Sequence, residues 1–202
     1  MWVVPRRAAA DVAASRATAV GAAVTLASIE GLEGITIGRL ANELNMSKSG
    51  LIGRFGDKEA LQREAFAAAI ERFTNDVWRP AEPAQPGLPR LAAIVDAWIG
   101  HLRSGAFPGG CFVTTASVEY DARPGPVRDD VAAAVVRWLG LLEAEARRAR
   151  EAGDLPPGRD PADVAFELHS LASGGSVAAR LTGDAAGLDR THAAMRRAIG
   201  QD

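Results

Sequence analysis

Residues 31–66 read GLEGITIGRLANELNMSKSGLIGRFGDKEALQREAF, and their spacing decides the fold. Thr36 carries a side-chain oxygen suited to accept a backbone N–H of the turn that follows, and Ile37, Leu40, Ala41 and Leu44 then repeat at helical intervals. This helix is expected to stop at Asn45, because asparagine tolerates the left-handed conformation better than any residue except glycine. Ser47, a second N-cap, restarts a short helix that runs to about Phe55. A helix of about nine residues, a tight turn and another short helix form the helix-turn-helix unit that places one helix in a DNA major groove.

Leu40, Ala41, Leu44, Met46, Leu51 and Phe55 can form the inner face of the pair. Arg39, Ser47, Lys48, Ser49 and Arg54 are left on the outer side, where the cations can neutralise phosphates or donate to guanine edges. Ser49, Gly50 and Gly53 are small enough for the backbone to approach DNA closely. Asp57 caps the next helix, and Lys58 in its first turn can face a phosphate together with the free N–H groups there.

Outward from this unit the chain remains helical. A first helix is expected at about 11–30, with Val20, Val24 and Ala27 on one stripe and Gly31 as a left-handed cap. After Asp57 a long helix passes through Leu61, Phe66, Ile70, Phe73 and Val77 and should end before 79–90, where four prolines and a glycine make a helix–helix loop. Further helices are expected at about 90–103, 112–121, 127–151, 161–181 and 186–199. The strongest start signal is Asp160-Pro161-Ala162-Asp163, an N-cap followed by proline at the first helical position. The fold class is therefore all-α, with about nine helices: a three-helix head over residues 1–56 on a larger helical body over 57–202.

Composition narrows the function. The chain of 202 residues is 48% hydrophobic and 24% charged, as in globular proteins. Apolar runs break well before the roughly 18–20 residues of a membrane span. Residues 1–16 carry two adjacent arginines but no apolar signal-peptide core, so a cytoplasmic location is expected. One cysteine, Cys111, and three scattered histidines supply no intramolecular disulfide and no metal-ligand spacing, so no metal or cofactor is expected. A nucleophile elbow, a phosphate-binding glycine loop and a His-Glu metal pair are all absent, which argues against an enzyme. The net charge of −2 conceals an asymmetry: residues 1–63 hold eight basic and six acidic side chains, the rest fifteen and nineteen. The only two lysines, Lys48 and Lys58, both fall in the DNA-reading stretch, and a phosphate-facing surface is one reason for that placement.

The quoted run resembles the N-terminal DNA-binding domain of the TetR family of repressors, with its TI-x-x-LA helix, GVS turn, LYxHF recognition helix and following KexL. The resemblance covers roughly residues 10–66. It implies that Thr36, Arg39, Ser47, Lys48, Ser49, Gly50, Ile52, Arg54 and Lys58 lie at positions that contact operator DNA, the first and last mainly through phosphates. Three departures stand out. Asn45 replaces the turn glycine, Ile52 replaces a tyrosine whose hydroxyl would reach phosphate, and Arg54 replaces a histidine. Ile52 can touch a thymine methyl instead.

The resemblance further implies a ligand-responsive regulator, a repressor in most such proteins. It would bind a pseudo-palindromic operator as a homodimer formed by the last two helices. A small apolar or amphipathic inducer in the body would release it. Phe66, Trp98, Phe112, Trp138, Phe166 and His169 are the expected cavity lining. The small residues Ala172-Ser173-Gly174-Gly175 suit a close approach at the dimer interface, and a tight crossing inside one chain explains them equally well. The alternative is a helical small-molecule carrier with no sequence-selective affinity for DNA.

Overall fold

The computed structural model describes the backbone of residues 6–184 and 186–201, and the side chains of 16–184 and 186–201. Residues 1–5, the beginning of the expected head, lie outside the described residues. All described regular structure is helical: α1 (Arg6–Glu30), α2 (Ile37–Glu43), α3 (Lys48–Phe55), α4 (Lys58–Phe73), a π turn (Thr74–Trp78), α5 (Arg79–Ala81), α6 (Leu88–Arg103), α7 (Phe112–Tyr120), α8 (Pro126–Glu151), α9 (Pro161–Thr182) and α10 (Ala186–Ala198). Because α4, the π turn and α5 follow one another without a break, the described residues form nine separate rods.

Local chemistry accounts for most boundaries. Thr36, Ser47 and Asp57 each accept a backbone N–H from three residues ahead, so α2, α3 and α4 all start on a side-chain cap. Asn45 takes φ 52°, the left-handed turn that lets the chain reverse between α2 and α3. Asp160 caps α9, with Pro161 at its first position.

Two boundaries depart from expectation: α1 begins at Arg6 and not at about residue 11, and the long rod overruns its expected end. The long rod does not stop before residue 79 but runs through the π turn to Ala81. Arg79 N–H reaches back to the Thr74 carbonyl, five residues earlier, so the widened turn carries the helix up to Pro80, which has no N–H to give.

The apolar core falls into two clusters. In the first, Leu32, Ile35, Leu40, Leu51 and Phe55 of the head pack with Leu61 and Phe66 of α4 and with Phe112 and Tyr120 of α7. The second lies in the body, where Phe73 and Val77 meet Trp98, Leu142, Leu168 and Met195. Buried contact therefore crosses the 56/57 boundary expected from sequence, through the first half of α4. Gly175 is where α9 crosses α10, because a β-carbon there would collide with the Thr191 side chain. Gly174 next to it faces open space.

Candidate nucleic-acid interface and ligand cavity

Leu51 and Phe55 anchor α3 to the head, which turns its first turn outward. Ser47, Lys48, Ser49, Gly50 and Ile52 are all exposed, Ile52 by 52% despite being apolar. Arg16 of α1 fixes the other end of α3: its guanidinium grips Glu64 of α4 through two bonds of 2.7 Å and donates to the Arg54 carbonyl at 2.6 Å. Helix α3 is thus held from below and presents small groups and the Lys48 cation above.

The expected DNA-contacting cations differ in their surroundings. Lys48 is exposed and has no ion-pair partner among the described residues. Arg39 is paired with Glu30 at 2.9 Å and Glu43 at 3.0 Å. Arg54 lies half-buried with Nη1 3.8 Å from the Met46 sulfur. Lys58 donates to Glu33 at 2.5 Å. Thr36 and Ser47 are exposed, with hydroxyls already engaged as helix caps.

Glu33, which the sequence did not single out, is the point where two body helices meet the head. Lys58 and Gln62 reach it from α4, and the Tyr120 hydroxyl of α7 donates to it at 3.0 Å. The bond from Lys58, more than those from Tyr120 and Gln62, holds its carboxyl below the usual pKa against the opposing effect of burial. Burial and that same carboxylate push the Tyr120 phenol up, so it stays protonated. Beside it, Glu119 of α7 accepts the backbone N–H groups of Leu32 and Glu33, each at 2.8 Å. Gly31 turns there with φ 80°, and a side chain would run into that carboxylate. No local pattern could reveal these pairs, since 86 and 87 residues separate the partners.

The other end of the same two helices borders a cavity of ≈ 170 Å³ in the body. Phe73, Trp98 and Trp138 form its aromatic wall, each ring meeting the others edge-on at centroid distances of 5.0–5.7 Å. The π turn contributes Thr74 and Trp78, and the start of α7 contributes Cys111, Val113 and Thr114. Arg137 of α8 with His169 and Ser173 of α9 complete the polar part. Burial pushes the His169 pKa down, which favours the neutral ring. In the π turn itself, Asp76 is tied to the buried His101 ring at 2.9 Å.

Of the six expected lining residues, Trp98, Trp138 and His169 border this cavity and three lie elsewhere. Phe66 sits two helical turns closer to the head than Phe73, roughly 10 Å along the rod, in the first core cluster. Phe112 turns away from its cavity-lining neighbours to pack on Phe66 and Phe107. Phe166 is 67% exposed: it lies about 200° around α9 from the buried Val164 and Leu168, so it cannot share their face. Trp78 also lines the cavity and was not among the expected residues, while Thr74, Thr114 and Ser173 carried no signal beyond small polar groups in apolar surroundings.

Two family models match the chain. Residues 20–65 match "Bacterial regulatory proteins, tetR family", and 87–195, more than half of the sequence, match "Tetracyclin repressor-like, C-terminal domain". No curated protein matches it closely enough to count as a relative. Among solved structures, a TetR transcriptional regulator from Chloroflexus aurantiacus J-10-FL superposes with a TM-score of 0.83 at 21% identity, over 92% of this chain and 94% of that one. A cysteine mutant of the TetR family regulator CifR, complexed with 26 bp operator DNA, superposes with 0.73 at 26% identity, over 90% and 93%. AibR, in complex with isovaleryl coenzyme A and operator DNA, superposes with 0.75 at 19% identity, over 92% and 98%.

Proposed function

Since the chain belongs to the TetR family of bacterial regulators, we propose that it reads operator DNA with the first turn of α3 and releases it when a small molecule fills the body cavity. The observation that carries this reading is one continuous connection. The π turn and the start of α7 border the cavity, while α4 and the end of α7 hold residues 31–33 of the head. A molecule that prefers one spacing of these helices biases the head through them.

In this reading the head, 1–56, contacts DNA through Lys48, Ser49, Gly50, Ile52 and Arg54, with Thr36, Arg39, Ser47 and Lys58 toward the phosphates. The body, 57–202, takes the ligand and a second copy of the chain. Phe166, Val177 and Leu181, exposed by 67%, 51% and 85%, support a homodimer through α9 and α10. They fall within about 60° of one another around α9 and form an apolar stripe left uncovered by the described residues. Two heads on one dimer would address major grooves about 34 Å apart. No helix of the described residues is long and apolar enough to cross a membrane, and we place the protein in the cytoplasm with its DNA. The reading assigns it no catalytic step.

Selection from a random duplex pool at moderate and high salt tests this function. Enrichment of a two-fold symmetric site, lost at high salt, is expected. A folded, dimeric sample that enriches nothing would refute it in favour of a small-molecule carrier.

A further inference from the structure

Three side chains that border the cavity each carry a buried nitrogen without a partner. Trp98 Nε1, Trp138 Nε1 and His169 Nδ1 are closed off from solvent and make no hydrogen bond, although all three side chains border the cavity and Trp98 is only 3% exposed. Buried polar groups are normally satisfied, so three orphans around one space point to a missing occupant. An indole N–H can only donate. The edge-on packing of Trp98, Trp138 and Phe73 offers it a ring face at best, a weaker acceptor than an oxygen.

The remaining lining fixes the sign of the charge. Among the described residues no Asp or Glu borders the cavity, and the one charged group that does, the Arg137 guanidinium, has no ion-pair partner. A volume of ≈ 170 Å³ is close to the ~150 Å³ that holds a single benzene ring.

We infer that the ligand is a small aromatic carboxylate of one ring, whose oxygens accept from the orphaned donors and whose charge is matched by Arg137. Its ring lies against the faces of Phe73, Trp98 and Trp138. The inference rests on the reading of this cavity as the regulatory site, and it deepens that reading by giving the chemical class of the ligand.

The test is titration of the full chain with benzoate, benzamide and benzylamine, followed by indole fluorescence and calorimetry. These probes share a ring and differ in charge and in acceptor oxygens. Benzoate is expected to bind best and benzylamine at least tenfold more weakly, with benzamide between them. Trp98→Phe keeps a ring but removes the donor, and Arg137→Gln alters an exposed side chain that the fold does not require. Each should weaken benzoate binding about tenfold, the scale of one charge-assisted bond; Trp98→Phe should leave benzylamine unchanged, and Arg137→Gln should leave it no weaker. Equal binding of the three probes, no binding of benzoate, or benzoate affinity untouched by both variants would overturn the inference. Operator affinity measured on the same samples separates the two readings. Selective operator binding with no benzoate binding would leave the regulator standing without this ligand class. Benzoate binding in the expected order by a protein that selects no operator would do the reverse.

Discussion

Glu119→Gln tests the connection between cavity and head. The wild-type carboxylate accepts two backbone N–H groups at 2.8 Å, and glutamine keeps one oxygen while turning an NH₂ toward the other donor. A hydrogen bond to a charged group contributes about 1.5–3 kcal/mol and a neutral one about 1 kcal/mol. Losing one bond and weakening the other would remove about 3 kcal/mol if the site were dry. Glu119 is half-buried, so water can reach the abandoned N–H, and the expected loss falls to about 1–2 kcal/mol. For a chain of this size that lowers Tm by roughly 2–8 °C, readable by circular dichroism. The same substitution should shrink the change in operator affinity that a cavity ligand produces, measured by fluorescence anisotropy with and without ligand. A Tm within 1 °C of wild type together with an unchanged ligand effect, on the order of the precision of such measurements, would refute the claim that α7 holds the head through this carboxylate.

Lys48→Ala should weaken binding to every DNA sequence alike and reduce the slope of log affinity against log salt by about one; an unchanged slope would remove Lys48 from the phosphate contacts. Gly175→Ala should destabilise the chain by about 1–3 kcal/mol through collision with Thr191, whereas Gly174→Ala meets nothing within the chain. Any loss caused by Gly174→Ala should then appear in sedimentation, as weaker dimerisation, and not in the unfolding of the chain. Glu33 has its pKa lowered in the folded state, chiefly by Lys58, so its contribution is fully present above about 4.3, the ordinary glutamate value, and is lost as pH falls through the folded value. Glu33→Gln should therefore unfold at a lower temperature than wild type at pH 7, with the gap closing below about pH 4; a gap that persists in acid would mean that the ionised carboxylate is not the cause.

Features set by neighbouring residues were legible in the sequence. Thr36, Ser47, Asp57 and Asp160 cap the helices they precede, and Asn45 takes the left-handed turn, because each outcome depends on a side chain and the backbone within three residues of it. The π turn was not legible, since periodicity alone does not tell a helix that stops before Pro80 from one that widens to accommodate it. The cavity was half legible for a similar reason. Apolar identity places an aromatic residue in a core but does not say which core, and so Phe66 and Phe112 went to the head cluster while Trp98 and Trp138 went to the cavity wall. The outward position of Phe166 was legible, since its phase on α9, opposite Val164 and Leu168, can be counted from the sequence.

Magnitudes also decide which link can transmit a ligand's effect. A hundredfold release from DNA requires a difference of about 2.7 kcal/mol between the two states of the head. The Lys58–Glu33 pair has side chains 39% and 41% exposed, and exposed pairs contribute only about 0–1 kcal/mol. Lys58 can therefore exchange Glu33 for a phosphate at little cost, which reconciles its pairing here with a role on DNA. The bonds from Glu119 to two backbone N–H groups and from the buried Tyr120 to Glu33 reach the required size together. Since α7 borders the cavity at Cys111, Val113 and Thr114, its displacement by a ligand strains those bonds directly. On the proposed function, most of the coupling would then run through α7, and α4 with its exposed lysine would follow the movement of the head without driving it.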